Sequence, residues 1–272
     1  MMNPISVCLI VTQLLVITTS QLSGRFARDL SDRVSENATV IYDVDRDGDV
    51  RLTVELRNGR SERPSRSSRG QPFPLTGGQT ELFNGFIPFF NYSINFGRNP
   101  SRGRRGFLRP VRRLIPSARL QEGDLTSVAF SDSTFGLGAR IQGRSLGFTW
   151  ETLPLSPGEF RFRQTTDDLH EVTFRVESDG RAEIQASCRG SGIIRGVFGL
   201  GGLTGRPLRY AVQSVGGSSI EGFRSRLGEL CGTTARTAPF GLLLFADANT
   251  MYVSYAIPGR DQILLPLDRV AN

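Results

Sequence analysis

Three stretches of this chain alternate apolar and polar residues with the two-residue period of a half-buried strand. From His170 to Glu177, Val172, Phe174 and Val176 share one face. From Arg181 to Ala186, Ala182, Ile184 and Ala186 do the same. Ser178-Asp179-Gly180 lies between them. A two-residue Asp-Gly turn would set Val176 opposite Glu183 and mix the faces. A three-residue loop with Gly180 at positive φ instead pairs Val176 with Ala182 and Phe174 with Ile184. It also sets Glu177 against Arg181 and Arg175 against Glu183 on the wet face. The pattern therefore predicts the three-residue loop.

A second hairpin is predicted near the start, with Val40, Tyr42 and Val44 facing Val50, Leu52 and Val54 across Asp45 to Asp49. A third runs through Phe240, Leu242 and Leu244, turns at Asp247 to Thr250, and returns through Met251, Val253, Tyr255 and Ile257. Its expected register sets Leu244 opposite Val253. Helical periodicity is scarce, and Ile220 to Leu230 is the one segment that predicts a short helix. Short strands and frequent glycine point to an all-β fold. The expectation is an antiparallel, jelly-roll-like β-sandwich over residues 120–272, behind an irregular basic extension.

Charge divides the chain further. Residues 21–56, the first hairpin segment, carry more acids than bases, and residues 121–272 are close to neutral. Residues 57–119 hold thirteen arginines against Glu62 and Glu81, so the net charge of +7 resides there. All 33 basic residues are arginine, and no lysine occurs. A GC-rich coding bias favours arginine, but the 18 Phe run against it. Selection against a modifiable amine is the other account. Arg57 to Gly70 lacks apolar residues and reads as a flexible linker. An aromatic-rich stretch, Phe83 to Phe96, follows it, and then the clusters Arg102-Gly103-Arg104-Arg105 and Arg109-Pro110-Val111-Arg112-Arg113.

Residues 1–20 read as a secretory signal, with an apolar run from Ile5 to Ile17 and small residues at Thr18 and Ser20. Secretion fits two glycosylation sequons, at Asn37 and Asn91. It also fits the cysteines: with Cys8 removed, Cys188 and Cys231 are expected to pair in an oxidising compartment, the alternative being two separate buried thiols.

The basic stretch has three readings. Convertase-type processing would follow Arg105 or Arg112. A polyanion site would use Arg102, Arg104, Arg105, Arg109, Arg112 and Arg113. A solvated loop docked on acidic surface needs neither. Asp43, Asp45, Asp47 and Asp49 have the alternate-carboxylate spacing of a calcium loop, with Gly48 at the bend, but the flanks read as strands, so a plain hairpin turn competes. Nothing else in the sequence calls for a cofactor. Gly199 to Gly205 resembles a dinucleotide loop but lacks the following helix, and reads as a strand connection. His170, the sole histidine, reads as a strand-edge residue, and no nucleophile motif accompanies it.

The order His170 to Ala186, Arg209 to Ser219, then Phe240 to Asp268 resembles the farnesoic-acid O-methyltransferase-like domain of invertebrate extracellular proteins. Ser218 and Gly241 stand where that family carries Trp. The resemblance covers about residues 160–270. It implies a sandwich-like β fold and a role in recognition or adhesion, and it transfers no binding residue. The expected function is therefore a secreted, non-enzymatic protein of recognition or assembly, lectin-like or a matrix or coat component. Its expected partners are extracellular glycans or acidic protein surfaces, with self-association into homo- or hetero-oligomers and no nucleic acid. The alternative is a secreted toxin or effector whose lack of lysine evades ubiquitin.

Overall fold

The computed structural model describes residues 23–57, 64–83, 87–131, 136–163, 169–188, 190, 192–205, 207–231, 240–256 and 262–271. The signal segment lies outside these residues, as does part of the expected linker.

The chain builds two closed, eight-stranded antiparallel barrels, and this corrects the expected sandwich. The first begins with β1 (Gly24–Asp29), β2 (Ala38–Val44) and β3 (Asp49–Leu56). β4 (Arg66–Arg69) and β5 (Phe73–Phe83) both pair with β3 and together make its fourth strand. β6 (Ile87–Ile94), helices α1 (Pro100–Phe107) and α2 (Arg109–Leu114), then β7 (Ser127–Ser131), β8 (Gly136–Ile141) and β9 (Arg144–Glu151) complete it. Closure comes from β1 pairing with both β2 and β9. The second barrel comprises β10 (Gly158–Arg163), β11 (Leu169–Val176), β12 (Arg181–Cys188), β13 (Ile193–Leu203), β14 (Arg209–Ser214), helix α3 (Ile220–Leu230), β15 (Leu242–Phe245), β16 (Thr250–Ala256) and β17 (Gln262–Arg269). Here β10 pairs with β17.

A sandwich and a barrel impose the same in–out alternation on every strand. The alternation is thus correctly legible while the closure is not. The basic segment is also more ordered than its composition suggested: Arg66–Arg69, read as linker, is strand β4. Ladder hydrogen bonds need backbone groups and no apolar side chains, and Gly70 N donates to Leu52 O at 2.7 Å. Residue 120, the expected domain boundary, lies between α2 and β7 of the first barrel.

The two barrels repeat one plan, with five strands, a helical segment, and three strands. The hairpin β2–β3 matches β11–β12 without a gap. Val40, Tyr42, Val44, Val50, Leu52 and Val54 correspond to Val172, Phe174, Val176, Ala182, Ile184 and Ala186. Both loops end in Asp-Gly, with Gly48 at φ 81° and Gly180 at φ 84°, and both close in the three-residue form. Each first strand opens on Gly-x-Phe. Phe26 pairs with Trp150 and Phe160 with Arg269. Trp150 stacks on Phe26 at 5.5 Å, and the Arg269 guanidinium lies 4.6 Å over the Phe160 ring. A Cβ on Gly24 would sit 2.2 Å from Trp150 Nε1, and one on Gly158 2.0 Å from Arg269 Nη1, so glycine is the residue that admits either cap.

Each barrel interior is filled by side chains, as a closed eight-stranded sheet allows. Phe26, Tyr42, Phe130 and Phe148 pack in the first, and Phe160, Phe174, Phe198 and Phe245 in the second. The helices close one end of each. Phe107, Leu108, Val111 and Leu114 enter the first core, and Ile220, Phe223 and Leu227 the second. The expected helix spans Ile220–Leu230 as read, with Ser219 Oγ capping Gly222 N at 3.1 Å.

The third hairpin is displaced by one residue. Leu243, not Leu244, lies opposite Val253, and Leu244 faces Tyr252. Leu243, Phe245, Met251 and Val253 point into the second barrel, whereas Leu244, Ala246, Tyr252 and Leu264 pack with the first barrel's core. A hairpin buried on both faces reads as a continuous apolar run, which leaves its register open. Tyr252 lies 5.1 Å from Trp150 and its hydroxyl accepts from Ser23 N at 2.8 Å. Arg46 of the β2–β3 turn reaches Thr250 at 2.9 Å and Asp268 at 2.8 Å. The wall of the second barrel thereby closes the mouth of the first that lies opposite its helices. No helix among the described residues is long and apolar enough to cross a membrane.

Candidate anion-binding site on the first barrel

Five residues of α1, Arg102-Gly103-Arg104-Arg105-Gly106, place two glycines against the barrel. A Cβ on Gly103 would meet Phe96 O at 2.7 Å, and one on Gly106 would meet Gln71 Oε1 at 2.8 Å. The helix can approach that closely only where side chains are missing, and the arginines between take the outer face. Asn99 caps the start, its side chain accepting from Arg102 N at 3.1 Å, and Pro100 occupies the first turn. α2 follows almost directly, burying Val111 and Leu114 and turning Arg109, Arg112 and Arg113 outward.

All six arginines of the predicted polyanion set thus stand on one helical plug. Arg102, Arg105, Arg109, Arg112 and Arg113 are exposed and Arg104 is half-buried. None forms an ion pair with a described residue. Arg104, Arg105 and Arg112 converge on a concavity of about 400 Å³, whose far wall is Leu120, Gln121 and Glu122. Arg104 Nη2 donates to Gln121 O at 3.2 Å, tying the two walls together. The far wall is held from beneath by Asp124, which is 0% exposed. Its carboxylate accepts from Gln121 N and Gln142 N at 2.7 Å each, and from Gly143 N at 3.1 Å. Sequence reasoning missed Ser101, Gln121, Glu122 and Asp124. Their signal was the polar Gln121-Glu122-Gly123-Asp124 turn, which only the fold sets beside the arginines.

The processing reading meets a folded obstacle. Arg105 and Arg112 lie within helices, and Phe107, just past Arg105, is fully buried. Proteases take extended, exposed chain, so cleavage there requires the plug to unwind.

The aspartates of the proposed calcium loop do not converge. Asp45 Oδ1 accepts from Asp47 N at 3.1 Å and Asp49 N at 2.8 Å, which staples the turn. Asp43 accepts from Thr53 Oγ1 at 2.8 Å and faces Arg25 at 3.7 Å. Asp43, Asp45 and Asp49 line a cleft of about 710 Å³ between the barrels together with Arg25 and Arg51. Among the described residues no three His, Cys, Asp or Glu gather to hold a metal ion.

Cys188 and Cys231 are bonded, with Cα atoms 5.3 Å apart, and join the end of β12 to the end of α3. Asn37 is exposed just before β2, and Asn91 is half-buried on β6. Gly199 to Leu203 belongs to strand β13, where it was read as a connection. His170 lies exposed on β11 beside a register shift between Leu169 and Glu171. No family model matches this chain, and neither does any curated protein.

Proposed function

We propose that this is a secreted, non-enzymatic recognition protein that binds acidic extracellular partners, sulfated or carboxylated glycans foremost, through the α1–α2 face. One contrast carries the reading. The two barrels close the same end with helices in the same place, and α3 does so with Glu221 and Glu229 balancing Arg224 and Arg226. Closing a barrel therefore needs no charge. The first barrel's plug nevertheless carries six arginines and no acid. Concentrated like charge costs self-repulsion in the folded state, and an anionic partner would relieve it. Guanidinium is the suitable group, since it stays ionised and grips carboxylate or sulfate through two parallel hydrogen bonds. The disulfide supports an oxidising compartment.

The test is binding to an immobilised sulfated glycan across a salt series. Retention should fall steeply as salt rises. The triple variant Arg102→Gln, Arg109→Gln, Arg113→Gln should lose about a hundredfold in affinity, at ~1 kcal/mol per exposed guanidinium. Equal binding by wild type and triple variant would remove the reading.

A further inference from the structure

The geometry points to a specific subsite on this face: the concavity between α1–α2 and Leu120–Glu122 takes one acidic sugar residue, a pyranose that carries a sulfate or carboxylate as well as free hydroxyls. This rests on the polyanion reading above and narrows it.

Three guanidiniums alone would suit any anion. The concavity also contains Glu122, which forms no ion pair with a described residue although Arg104, Arg105 and Arg112 line the same space. A carboxylate there repels a bare sulfate or an internal unit of polyphosphate, which bring only acceptors. It suits a ligand that pairs an anionic group with hydroxyl donors: the anion goes to the guanidiniums and a hydroxyl goes to Glu122. Ser101 adds a group that donates and accepts. Half-buried Leu120 supplies apolar lining for the C–H face of a sugar ring. A volume of about 400 Å³ is at the small end of ligand sites, fitting one or two sugar units. The walls are also prearranged, by the Arg104–Gln121 bond, the Asn99 cap and the three amides held by Asp124. Prearranged walls reduce the ordering cost of binding.

Titration calorimetry would compare two probes of matched charge, a sulfated, uronate-containing tetrasaccharide and linear polyphosphate. Wild type should prefer the saccharide by roughly tenfold, the discrimination one charge-assisted hydrogen bond supplies. Glu122→Gln removes a negative charge from an exposed position, so the fold should survive. It should weaken the saccharide and strengthen polyphosphate, abolishing the preference. Ser101→Ala should weaken the saccharide alone. If Glu122→Gln strengthens both probes equally, the concavity is only part of a general positive field, and the subsite is overturned while the polyanion reading stands. If wild type binds neither probe, the polyanion reading falls and the subsite falls with it.

Discussion

Asp124 shows how one side chain sets a site that it never lines. Fully buried, its carboxylate takes three backbone amides and so fixes Gln121 and Glu122 beside the arginine plug. Asp124→Ala would leave those part-buried amides without their carboxylate partner. The expected cost is about 3 kcal/mol, measured by urea unfolding, with weaker glycan binding in the protein that remains folded. Glu159 makes a pH-dependent contribution. Hydrogen bonds from Arg175 and then Arg161 hold its carboxyl below the ordinary carboxylate range. Because the folded value is depressed, the stabilisation is present above the unfolded pKa and is lost as pH falls through the folded one. Thermal midpoints should therefore drop between about pH 5 and pH 3, and more steeply in wild type than in Glu159→Gln.

Among the elements, matched positions in the two barrels separate what the fold requires from what was added. Along one outer row, Arg25 pairs with Asp43 and Asp43 with Arg51; in the second barrel the same row reads Glu159, Arg175, Glu183. Every sign is reversed and every opposition is kept, so the ladder needs complementarity and not particular residues. Helix α3 differs from α1–α2 in the opposite sense, in its disulfide and its balanced charge. Cys188 and Cys231 enclose a loop of sequence separation 43. By the chain-entropy account, replacing both with Ala should cost about 4 kcal/mol, read as a lower denaturant midpoint. If glycan binding belongs to the first barrel, the same variant should keep it while folded. The hairpins β2–β3 and β11–β12 were legible to the residue because apolar and polar positions alternate into an Asp-Gly loop in each, although Ile41 and Thr53 are buried on the second face of β2–β3 as well. The hairpin β15–β16 was misread by one position because Leu244 and Tyr252 are buried too, against the other barrel.

For the whole molecule, the central contact is that packing of one barrel's wall over the other's mouth. Tyr252 touches Trp150, bonds Ser23, and belongs to the first barrel's core although it lies on a strand of the second. The two barrels should accordingly unfold in a single calorimetric transition. Tyr252→Ala removes the ring and its hydrogen bonds, at ~3–5 kcal/mol, and should split that transition in two. Persistence of one sharp transition in the variant would mean that other contacts couple the barrels. The arginine plug lies at the far end of the first barrel from this interface, so glycan binding should be insensitive to the substitution.

Local chemistry decided a good deal without help. Period-two alternation, Asp-Gly loops and a capped helix at Ile220 act between neighbours in the chain, and their consequences can be worked out from neighbours alone. The six arginines were visible for the same reason, whereas the cysteine pair, 43 positions apart, followed from cysteine count and compartment. Closure into barrels was decided elsewhere, by β1 meeting β9 and β10 meeting β17, pairings between residues more than a hundred positions apart that leave no local trace. Distance in sequence also separated the parts of the candidate site. Glu122 and Asp124 acquire meaning only when the chain returns past the helices and sets them against Arg104, Arg105 and Arg112. A charge can be counted in one dimension, but the cavity that gives it a ligand is made by chain segments meeting in three.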